Sequence, residues 1–444
     1  MPQARATKIL ILGGGFGGLY AALELERTLA RDPDVEVTVV NRENFILFTP
    51  MLHEVAASDL DPTTIVNPIR KLLRRVKFFQ GEVDSINLSA KRVSVSHGIG
   101  TAHQHELEYD HLVLSLGSET NFFNLPGLQE RALTMKTLSD AVTLRNRLIE
   151  HLEEADFECC PELREHLLTF VVAGAGFAGV ETIAAMNDFL RAAVEFYPHL
   201  SRDFIRVVLV EFTSIILPEL GEKLGAYARK KLSERGVEIR TDTKVTGFSE
   251  RGVELGDGTV IKTNTLVWTA GTSPNPLVET LPCKKERGKL VVNDCLEVAD
   301  WPGVWALGDC AAIPDAKTGK YYPPTAQHAI REGKALARNL TAAIRGGRKQ
   351  PFVFSTLGQL AAIGRRTGVA NIMGINFSGF IAWWLWRTIY LSKLPRFEKK
   401  LRVALDWTLD LLFTKDLVQV MERPARRISQ AAVKGNKTDR VAAA

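Results

Sequence analysis

The sequence has few cysteines, and none has the spacing of a zinc site or of a redox-active pair. Five occur in 444 residues, and no CxxC motif is among them: Cys159, Cys160, Cys283, Cys295 and Cys310. So small a number argues against a disulfide framework and suits a reducing compartment. We therefore predict neither structural disulfides nor a bound metal.

The net charge is also small over most of the chain. The formal net charge is +5, and the segment from Arg423 to the end alone carries six basic residues and one acid. The rest is close to neutral, whereas a nucleic-acid enzyme would carry a broad basic face, so no nucleic-acid partner is expected. Residues 421–444 are predicted to be a disordered basic tail. Solvation of this tail and contact with an anionic membrane surface both stay open.

An export signal and a long hydrophobic run are likewise missing. The first predicted strand begins near Lys8, which leaves no room for a signal peptide. The uncharged stretch Thr367–Trp386 is too rich in glycine and asparagine for a span of about 20 apolar residues, and Arg387 interrupts its apolar continuation.

From Phe377 onward the sequence instead predicts helices that lie at a membrane interface. Tryptophan and tyrosine favour the headgroup level, and basic side chains would meet anionic lipid. The basic side chains in question are Lys393, Arg396, Lys399, Lys400 and Arg402. The alternative is a helix pair that packs on the protein body or at a dimer interface.

One supersecondary unit occurs twice. Lys8–Leu12 and Val35–Val40 read as buried parallel strands around a glycine loop and a helix, and Leu167–Ala173 and Ile205–Val210 repeat the layout. The loops share the pattern GxGxxG, at Gly13, Gly15 and Gly18 in the first and at Gly174, Gly176 and Gly179 in the second. Such glycines make a tight turn, admit a pyrophosphate to the backbone and let helix and strand pack closely.

The residue that ends the second strand of each unit differs. An acid there binds the adenosine ribose, and Glu211 in the second unit would also repel a 2′-phosphate, which favours NADH over NADPH. In the first unit the position is held by Asn41, followed by Arg42. An asparagine can still accept from and donate to a hydroxyl, so this site is altered rather than lost.

A strand ending in Gly308-Asp309 matches the motif by which two-dinucleotide flavoproteins hold the FAD ribityl chain, with Asp309 as the contact. We therefore assign FAD to the first unit and NADH to the second. The predicted fold is α/β, with two Rossmann-type domains, the NAD domain inserted in the FAD domain, and a C-terminal amphipathic-helical membrane-association region. The predicted bounds are 1–120 and 289–350 for the FAD domain, 121–288 for the NAD(H) domain and 351–420 for the C-terminal membrane-association or dimerisation region.

Further motifs extend over nearly the whole chain: Phe48–Ala56, Gly179-Val180-Glu181, Leu217-Pro218, Trp268–Gly271, Pro274–Leu277, Ala326–Ala329 and Gly364–Trp386. Together with the two loops, they resemble the type II NADH:quinone oxidoreductases of the glutathione-reductase-like superfamily. The resemblance implies a single-subunit, non-proton-pumping enzyme bound to a membrane surface. From the missing export signal and from where NADH is found, we expect a peripheral location on the cytoplasmic face of the inner or plasma membrane. The resemblance also implies hydride transfer from NADH to FAD, two-electron reduction of a membrane quinone, and a homodimer paired through C-terminal segments.

The same resemblance suggests roles for single residues. Pro50 and Ala326 would contact FAD, Gly271 would contact NAD, and Gln327 would lie beneath the flavin at the quinone site. Glu181, placed in the first turn of its helix, would lie near the nicotinamide–flavin contact; the alternative is that it only complements the helix dipole. The family motif Ala-Gln-x-Ala-x-Gln ends here in Arg331. That charge could favour an anionic or partly reduced quinone, exclude ordinary quinones, or mark a different acceptor.

Other flavoproteins with two nucleotide sites fit less well. Disulfide reductases and sulfide:quinone reductases need redox cysteines near the flavin, and no cysteine precedes Cys159. Two alternatives stay open: an NADH-dependent flavin reductase with a non-quinone acceptor, and an NADH-responsive flavoprotein with slow turnover. Residues 325–420 would discriminate among these functions.

Overall fold

The computed structural model describes residues 5–98 and 103–419, so the predicted tail at 421–444 lies outside the described residues. Eleven α-helices occur in the described part: Phe16–Arg27, Leu52–Ala56, Ile69–Leu72, Leu128–Arg131, Leu138–Phe157, Pro161–Leu168, Phe177–Ala193, Glu222–Glu234, Ala326–Arg345, Phe380–Lys393 and Phe397–Leu412.

The first sheet is parallel throughout and has five strands. In spatial order they are Val304–Ala306, His111–Leu114, Thr7–Leu12, Val35–Asn41 and Lys77–Gln80. The central strands are buried runs of valine, isoleucine and leucine, as expected of a sheet covered on both faces. Helix Phe16–Arg27 packs against helix Ala326–Arg345 on one face, with Gly17 and Gly333 allowing the close approach.

The second sheet repeats this plan with four parallel strands. They run in the order Val237–Arg240, Arg206–Val210, Thr169–Ala173 and Thr265–Trp268. The strand that we predicted to begin at Leu167 begins at Thr169, because Leu167 and Leu168 are the last residues of the helix Pro161–Leu168.

The second unit is inserted into the first. The chain leaves the first sheet through Ser118–Thr120 and comes back through Thr272–Pro274, and these two segments pair as antiparallel strands. Val304–Ala306 then rejoins the first sheet beside His111–Leu114, as predicted. Lys289–Val291 does not join this sheet, because it pairs with Lys285–Glu286 and Ala311–Ala312 in a small separate sheet.

Short strands outside the two main sheets form small sheets at their margins. They are Phe45–Leu47 with Val66–Pro68; Glu82–Asn87, Arg92–His97 and His103–Glu108; Val245–Ser249, Gly252–Leu255 and Val260–Ile261; Lys285–Glu286, Lys289–Val291 and Ala311–Ala312; and Pro314–Asp315 with Lys320–Tyr321.

The prediction of helix alone for the C-terminal region is wrong for residues 358–379. Gly358–Ala362, Gly368–Ile372 and Ile375–Gly379 form a three-stranded antiparallel sheet, here called the C-terminal sheet. The helices follow it: the tryptophan helix, Phe380–Lys393, and the last helix, Phe397–Leu412. Within residues 5–98 and 103–419, every helix falls short of the length or apolarity needed to cross a bilayer.

The C-terminal region packs on the protein body through one face of each helix. Trp386 and Ala382 of the tryptophan helix, and Val403 and Trp407 of the last helix, join the same buried cluster as the second unit. The C-terminal sheet lies against helix Phe177–Ala193. This packing brings the C-terminal region to the boundary between the two nucleotide units.

Candidate functional site

The two glycine loops have the same geometry. Gly13 and Gly174 have φ values of +102° and +100°, which side chains rarely adopt. A Cβ on Gly18 would lie 1.9 Å from the Gly13 carbonyl oxygen, so that glycine is required by helix–strand packing. Gly179 stands in the same relation to Gly174, at 1.8 Å.

The middle glycine of each loop caps a helix and faces open space. A Cβ on Gly15 would meet no atom within 4 Å, and one on Gly176 would meet only a Glu219 oxygen at 4.0 Å. Both backbones are extended at this point, with φ of −72° and −71°. The open side of each loop thus exposes a helix N-terminus, which favours phosphate.

The polar residues that end the second strands also correspond. Asn41 Oδ1 accepts from the Gly14 amide at 2.8 Å, and Glu211 Oε2 accepts from the Ala175 amide at 2.6 Å. Each therefore holds the first turn of its loop. The other Glu211 oxygen accepts from Thr213, and a carboxylate has about four acceptor positions, so capacity for a ribose hydroxyl remains.

A cavity of about 1860 Å³ lies where both units and the C-terminal region meet. Eleven predicted site residues line it: Gly15, Asn41, Arg42, Pro50, Glu181, Gly271, Gly308, Asp309, Ala326, Gln327 and Arg331. The remaining six do not: Gly13 and Gly18, which pack in the loop, and Gly174, Gly176, Gly179 and Glu211, which lie farther along the second unit.

Asp309 is held at the cavity wall by partners that the sequence did not reveal. Its Oδ2 accepts from Ser118 Oγ at 2.7 Å, and Lys136 Nζ lies 3.1 Å from the same hydroxyl. Burial lowers the pKa of Lys136, while Asp309 works against that shift. Behind the turn, the Gly308 amide donates to Glu332 at 2.9 Å. Ser118 and Lys136 lie in no motif, so only the fold identifies them.

Gln327 and Arg331 lie on the cavity side of helix Ala326–Arg345. The Gln327 side-chain amide binds the backbone at the start of the C-terminal sheet. Its Oε1 accepts from the Leu357 amide at 3.0 Å, and its Nε2 donates to the Gly358 carbonyl at 3.2 Å. Arg331 donates to the Gln327 carbonyl at 2.9 Å and stacks on the Phe354 ring at 4.2 Å. Its guanidinium is thus folded against the wall rather than extended into the cavity.

Glu181 is buried between the second unit and the tryptophan helix. Its Oε1 accepts from the Trp386 indole at 2.9 Å and from the Ala362 amide at 3.1 Å, and Oε2 lies 3.8 Å from His53 Nδ1. Burial raises the pKa of Glu181 to about 8.

The prediction that Glu181 lies in the first turn of its helix is wrong, because the helix begins at Phe177 and Glu181 therefore lies in its second turn. Its side chain contacts the C-terminal region and does not merely complement the helix dipole. His53, its neighbour in space, was missed as a site residue, although it lies within the motif Phe48–Ala56.

Comparisons with known proteins decide the family. A family model described as pyridine nucleotide-disulphide oxidoreductase matches residues 7–333, and one described as the NDH2 C-terminal domain matches residues 357–416. A type II NADH:quinone oxidoreductase of Mycobacterium tuberculosis is 33% identical over 427 residues, covering 93% of this chain and 89% of that protein. The chain belongs to the type II NADH:quinone oxidoreductases.

A second relative agrees with this family, and a solved structure has the same fold. A probable NADH dehydrogenase of Dictyostelium discoideum is 32% identical over 92% of this chain and 90% of its own length. The solved structure of NDH2 from Plasmodium falciparum in complex with NADH has a TM-score of 0.86 at 20% identity, covering 93% of this chain and 100% of that chain. The fold class, with its Rossmann-type units and C-terminal region, is confirmed.

FAD is the characteristic cofactor of this family, and the cavity fits it. The open face at Gly15 would accept a pyrophosphate, and the Asp309–Ser118 pair presents polar groups to hydroxyls. The structure describes all five cysteines, and none lines the cavity. Cys159 and Cys160 are therefore not placed to take part in chemistry at this site.

Two buried carboxyls make the stability of the fold depend on pH. Burial raises the pKa of Glu54 and of Glu181 to about 8, from 4.5. The folded state therefore keeps protons that the unfolded chain has released, and stability should fall between about pH 5 and about pH 8. In Glu54→Gln this fall should be smaller, as measured by thermal unfolding midpoints across that range.

The matched control for this prediction is Glu250→Gln, whose side chain is 86% exposed. It should reproduce the wild-type pH dependence. Equal slopes for Glu54→Gln and the wild-type protein would contradict a protonated Glu54 in the folded state.

Proposed function

We propose that this chain oxidises NADH and reduces a membrane quinone through FAD held in the large cavity, without proton pumping. Bound FAD supplies the chemistry: it accepts a hydride from NADH and gives two electrons to the quinone. The observation that carries the proposal is that one cavity is lined by the first glycine loop, the start of the second unit's helix and the C-terminal region. The protein's part is therefore to hold donor and acceptor against the same cofactor.

The nucleotide contacts follow from the two loops. In the proposal, the open faces at Gly15 and Gly176 bind the pyrophosphates of FAD and NADH, respectively, and Asp309 binds FAD hydroxyls. Glu211 binds the NADH ribose, and its negative charge disfavours the 2′-phosphate of NADPH. Gly271, with φ of +89°, lies at the cavity wall, where the proposal places the nicotinamide end, and its missing Cβ makes room for the Phe123 ring.

The proposed quinone site lies near Gln327, at the side of the cavity formed by the C-terminal region. Tyr390, Leu394 and Pro395, from the end of the tryptophan helix and just beyond it, line the same cavity, so an apolar quinone could enter along them from a membrane. Because Arg331 stacks on Phe354, its charge is compatible with a neutral quinone here. This arrangement favours a quinone over a soluble protein acceptor.

The proposed membrane surface is the outer face of the two C-terminal helices. Its members are large apolar side chains that the fold leaves exposed: Phe380, Ile381, Trp384, Phe397, Leu401, Leu405, Leu409, Leu411, Leu412 and Phe413. Exposed Lys393 and Arg402 border them and would meet anionic lipid. Lys399 was also predicted to meet anionic lipid, but its side chain is buried and donates to the Thr63 carbonyl. NADH is held in the cytoplasm, so the bound face would be cytoplasmic.

A vesicle-binding experiment tests this surface. Ile381→Asp combined with Leu401→Asp should reduce co-sedimentation with vesicles containing phosphatidylglycerol by about tenfold or more, because each change puts a charge into the interface. NADH oxidation with ferricyanide should be unchanged. The control is Leu163→Asp, which places one such charge at an exposed leucine on helix Pro161–Leu168 and is compared with each single variant, Ile381→Asp and Leu401→Asp.

The alternative partner for the same face is a second copy of this chain. If the double variant binds vesicles normally but sediments as a monomer where the wild-type protein is a dimer, the face is a homodimer interface and the membrane proposal is wrong.

A further inference from the structure

Three of the nine histidines of the chain lie on one small antiparallel sheet. They are His97, at the end of strand Arg92–His97, and His103 and His105, on the neighbouring strand His103–Glu108. All three side chains are exposed, and none of them lines the large cavity. The proposed electron transfer therefore does not use them, and the role of this histidine cluster is a separate question.

The strand register brings the three imidazoles to one face of this sheet. His97 lies directly opposite His103, and His105 lies opposite Val95. Because side chains alternate between the two faces of a strand, all four share a face. Val95 is fully buried in the same hydrophobic core as the first sheet. This face is thus apolar at its inner end and carries imidazoles at its surface end.

Two of the imidazoles form a close pair. The Nε2 atoms of His97 and His105 are 2.7 Å apart, and the two rings stack with their centroids separated by 4.7 Å. The Phe79 ring meets both edge-on, at centroid distances of 5.6 and 5.5 Å, so packing as well as the strands holds the pair. Two ring nitrogens at this distance either share one hydrogen as donor and acceptor or bind one cation together.

The separation of these nitrogens suits two ligands at right angles around one ion. At about 2.0 Å from the ion, neighbouring ligands lie about 2.8 Å apart in a tetragonal site and about 3.3 Å apart in a tetrahedral one. The distance of 2.7 Å is closer to the first value. Imidazole in tetragonal geometry favours copper(II) and nickel(II). We propose that His97 and His105 bind a divalent transition-metal ion of this class at the surface of the sheet, with water at its other positions.

Two protein ligands make this an open site. Over the ranges that the structure describes, no group of three histidine, cysteine, aspartate or glutamate side chains is placed to hold a metal ion. Because solvent occupies the other positions, the bound ion exchanges with solution, and it links strand Arg92–His97 to strand His103–Glu108. The prediction of no bound metal rested on cysteine spacing, which carries no information about a histidine pair across two strands.

The test is a calorimetric titration of the tag-free, FAD-loaded protein with Ni²⁺. Wild type should bind Ni²⁺ with a dissociation constant in the micromolar range. His97→Gln and His105→Gln should each weaken this binding by about a hundredfold or more, since even outer-shell partners of a ligand are worth about tenfold to a hundredfold. The matched control is His199→Gln, at a side chain that is 61% exposed, and it should bind as wild type does. Millimolar binding by wild type, or equal affinities of His105→Gln and His199→Gln, would overturn the proposal.

Thermal unfolding gives an independent readout. Ni²⁺ at about a hundred times its dissociation constant should raise the unfolding midpoint of wild type, because an ion that binds only the folded state stabilises it. EDTA should reverse this rise. The double variant His97→Gln, His105→Gln should unfold at one temperature with and without Ni²⁺, and Mg²⁺, which prefers oxygen ligands, should shift neither protein. An equal Ni²⁺ shift in wild type and in the double variant would place the ion elsewhere and would also overturn the proposal.

Discussion

Gly15→Val should give a folded protein that retains almost no FAD, whereas Gly176→Val should keep its FAD and lose its affinity for NADH. The two positions correspond in the repeated unit, and a Cβ at either would meet no atom closer than 4.0 Å. Both backbones are extended, so valine fits without strain. The added methyls would instead occupy the space that a pyrophosphate needs beside the helix N-terminus.

The measurements are FAD content from the visible spectrum of the purified protein and the KM for NADH. We expect Gly15→Val to carry less than about a tenth of the wild-type FAD, and Gly176→Val to raise the KM by about a hundredfold, or some 2.7 kcal/mol of binding. Gly258→Val is not a useful control, because φ there is +84°. Gly256→Ala, on the hairpin of the second unit, should change neither quantity. The reverse pattern would show that the cofactors are assigned to the wrong units.

Trp386→Ala is expected to destabilise the protein by about 3–5 kcal/mol, and Trp384→Ala by less than about 0.5 kcal/mol. Trp386 is fully buried, donates to Glu181 and packs on Tyr390 at 4.9 Å, so truncation leaves a cavity and removes one of the two donors that bind the buried Glu181 carboxyl. Trp384, two residues away on the same helix, is 54% exposed. The pair thus separates the inner face of the tryptophan helix from its outer face.

Urea unfolding of the FAD-loaded proteins measures both free energies. Trp386→Phe, which keeps most of the ring volume but no indole donor, should lie between wild type and Trp386→Ala. Equal losses of unfolding free energy in Trp384→Ala and Trp386→Ala would contradict the packing of the tryptophan helix on the rest of the protein.

The glycine loops could be predicted because their signal is local. The turn, the open face and the close packing all arise within six consecutive residues between a strand and a helix, so the spacing in that context predicts the loop geometry at Gly13, Gly15 and Gly18. The same holds for the repeat at Gly174, Gly176 and Gly179. What no local pattern could show is that Asn41 and Glu211 both bind the amide after the first glycine of their loop.

The C-terminal sheet could not be predicted because its turn lacks the usual signal. Ile372 pairs with Ile375 across the two-residue turn Met373-Gly374, where both residues have positive φ, +51° and +85°. Such turns favour Asn-Gly or Asp-Gly, and methionine at the first position conceals this one. The uncharged composition around it therefore suggested an interfacial helix.

The partners of Glu181 were hidden for a different reason. Trp386 and Ala362 lie 205 and 181 residues away in sequence, and the contact forms only after the C-terminal region has packed on the second unit. Tryptophan in this segment predicted a lipid interface, whereas Trp383, Trp386 and Trp407 are buried and only Trp384 of these four is exposed. Composition identifies an amphipathic segment but does not say which of its tryptophans face inward.

The central claim is most directly tested by steady-state oxidation of NADH by the purified, FAD-loaded protein with short-chain ubiquinone and menaquinone analogues, beside NADPH and ferricyanide. The predicted result is rapid NADH-dependent reduction of at least one quinone, much slower reaction with NADPH, and no need to replace Arg331. Reduction of ferricyanide with NADH but of neither quinone, in wild type and in Arg331→Gln alike, would contradict it and would mean that this chain delivers its electrons to another acceptor.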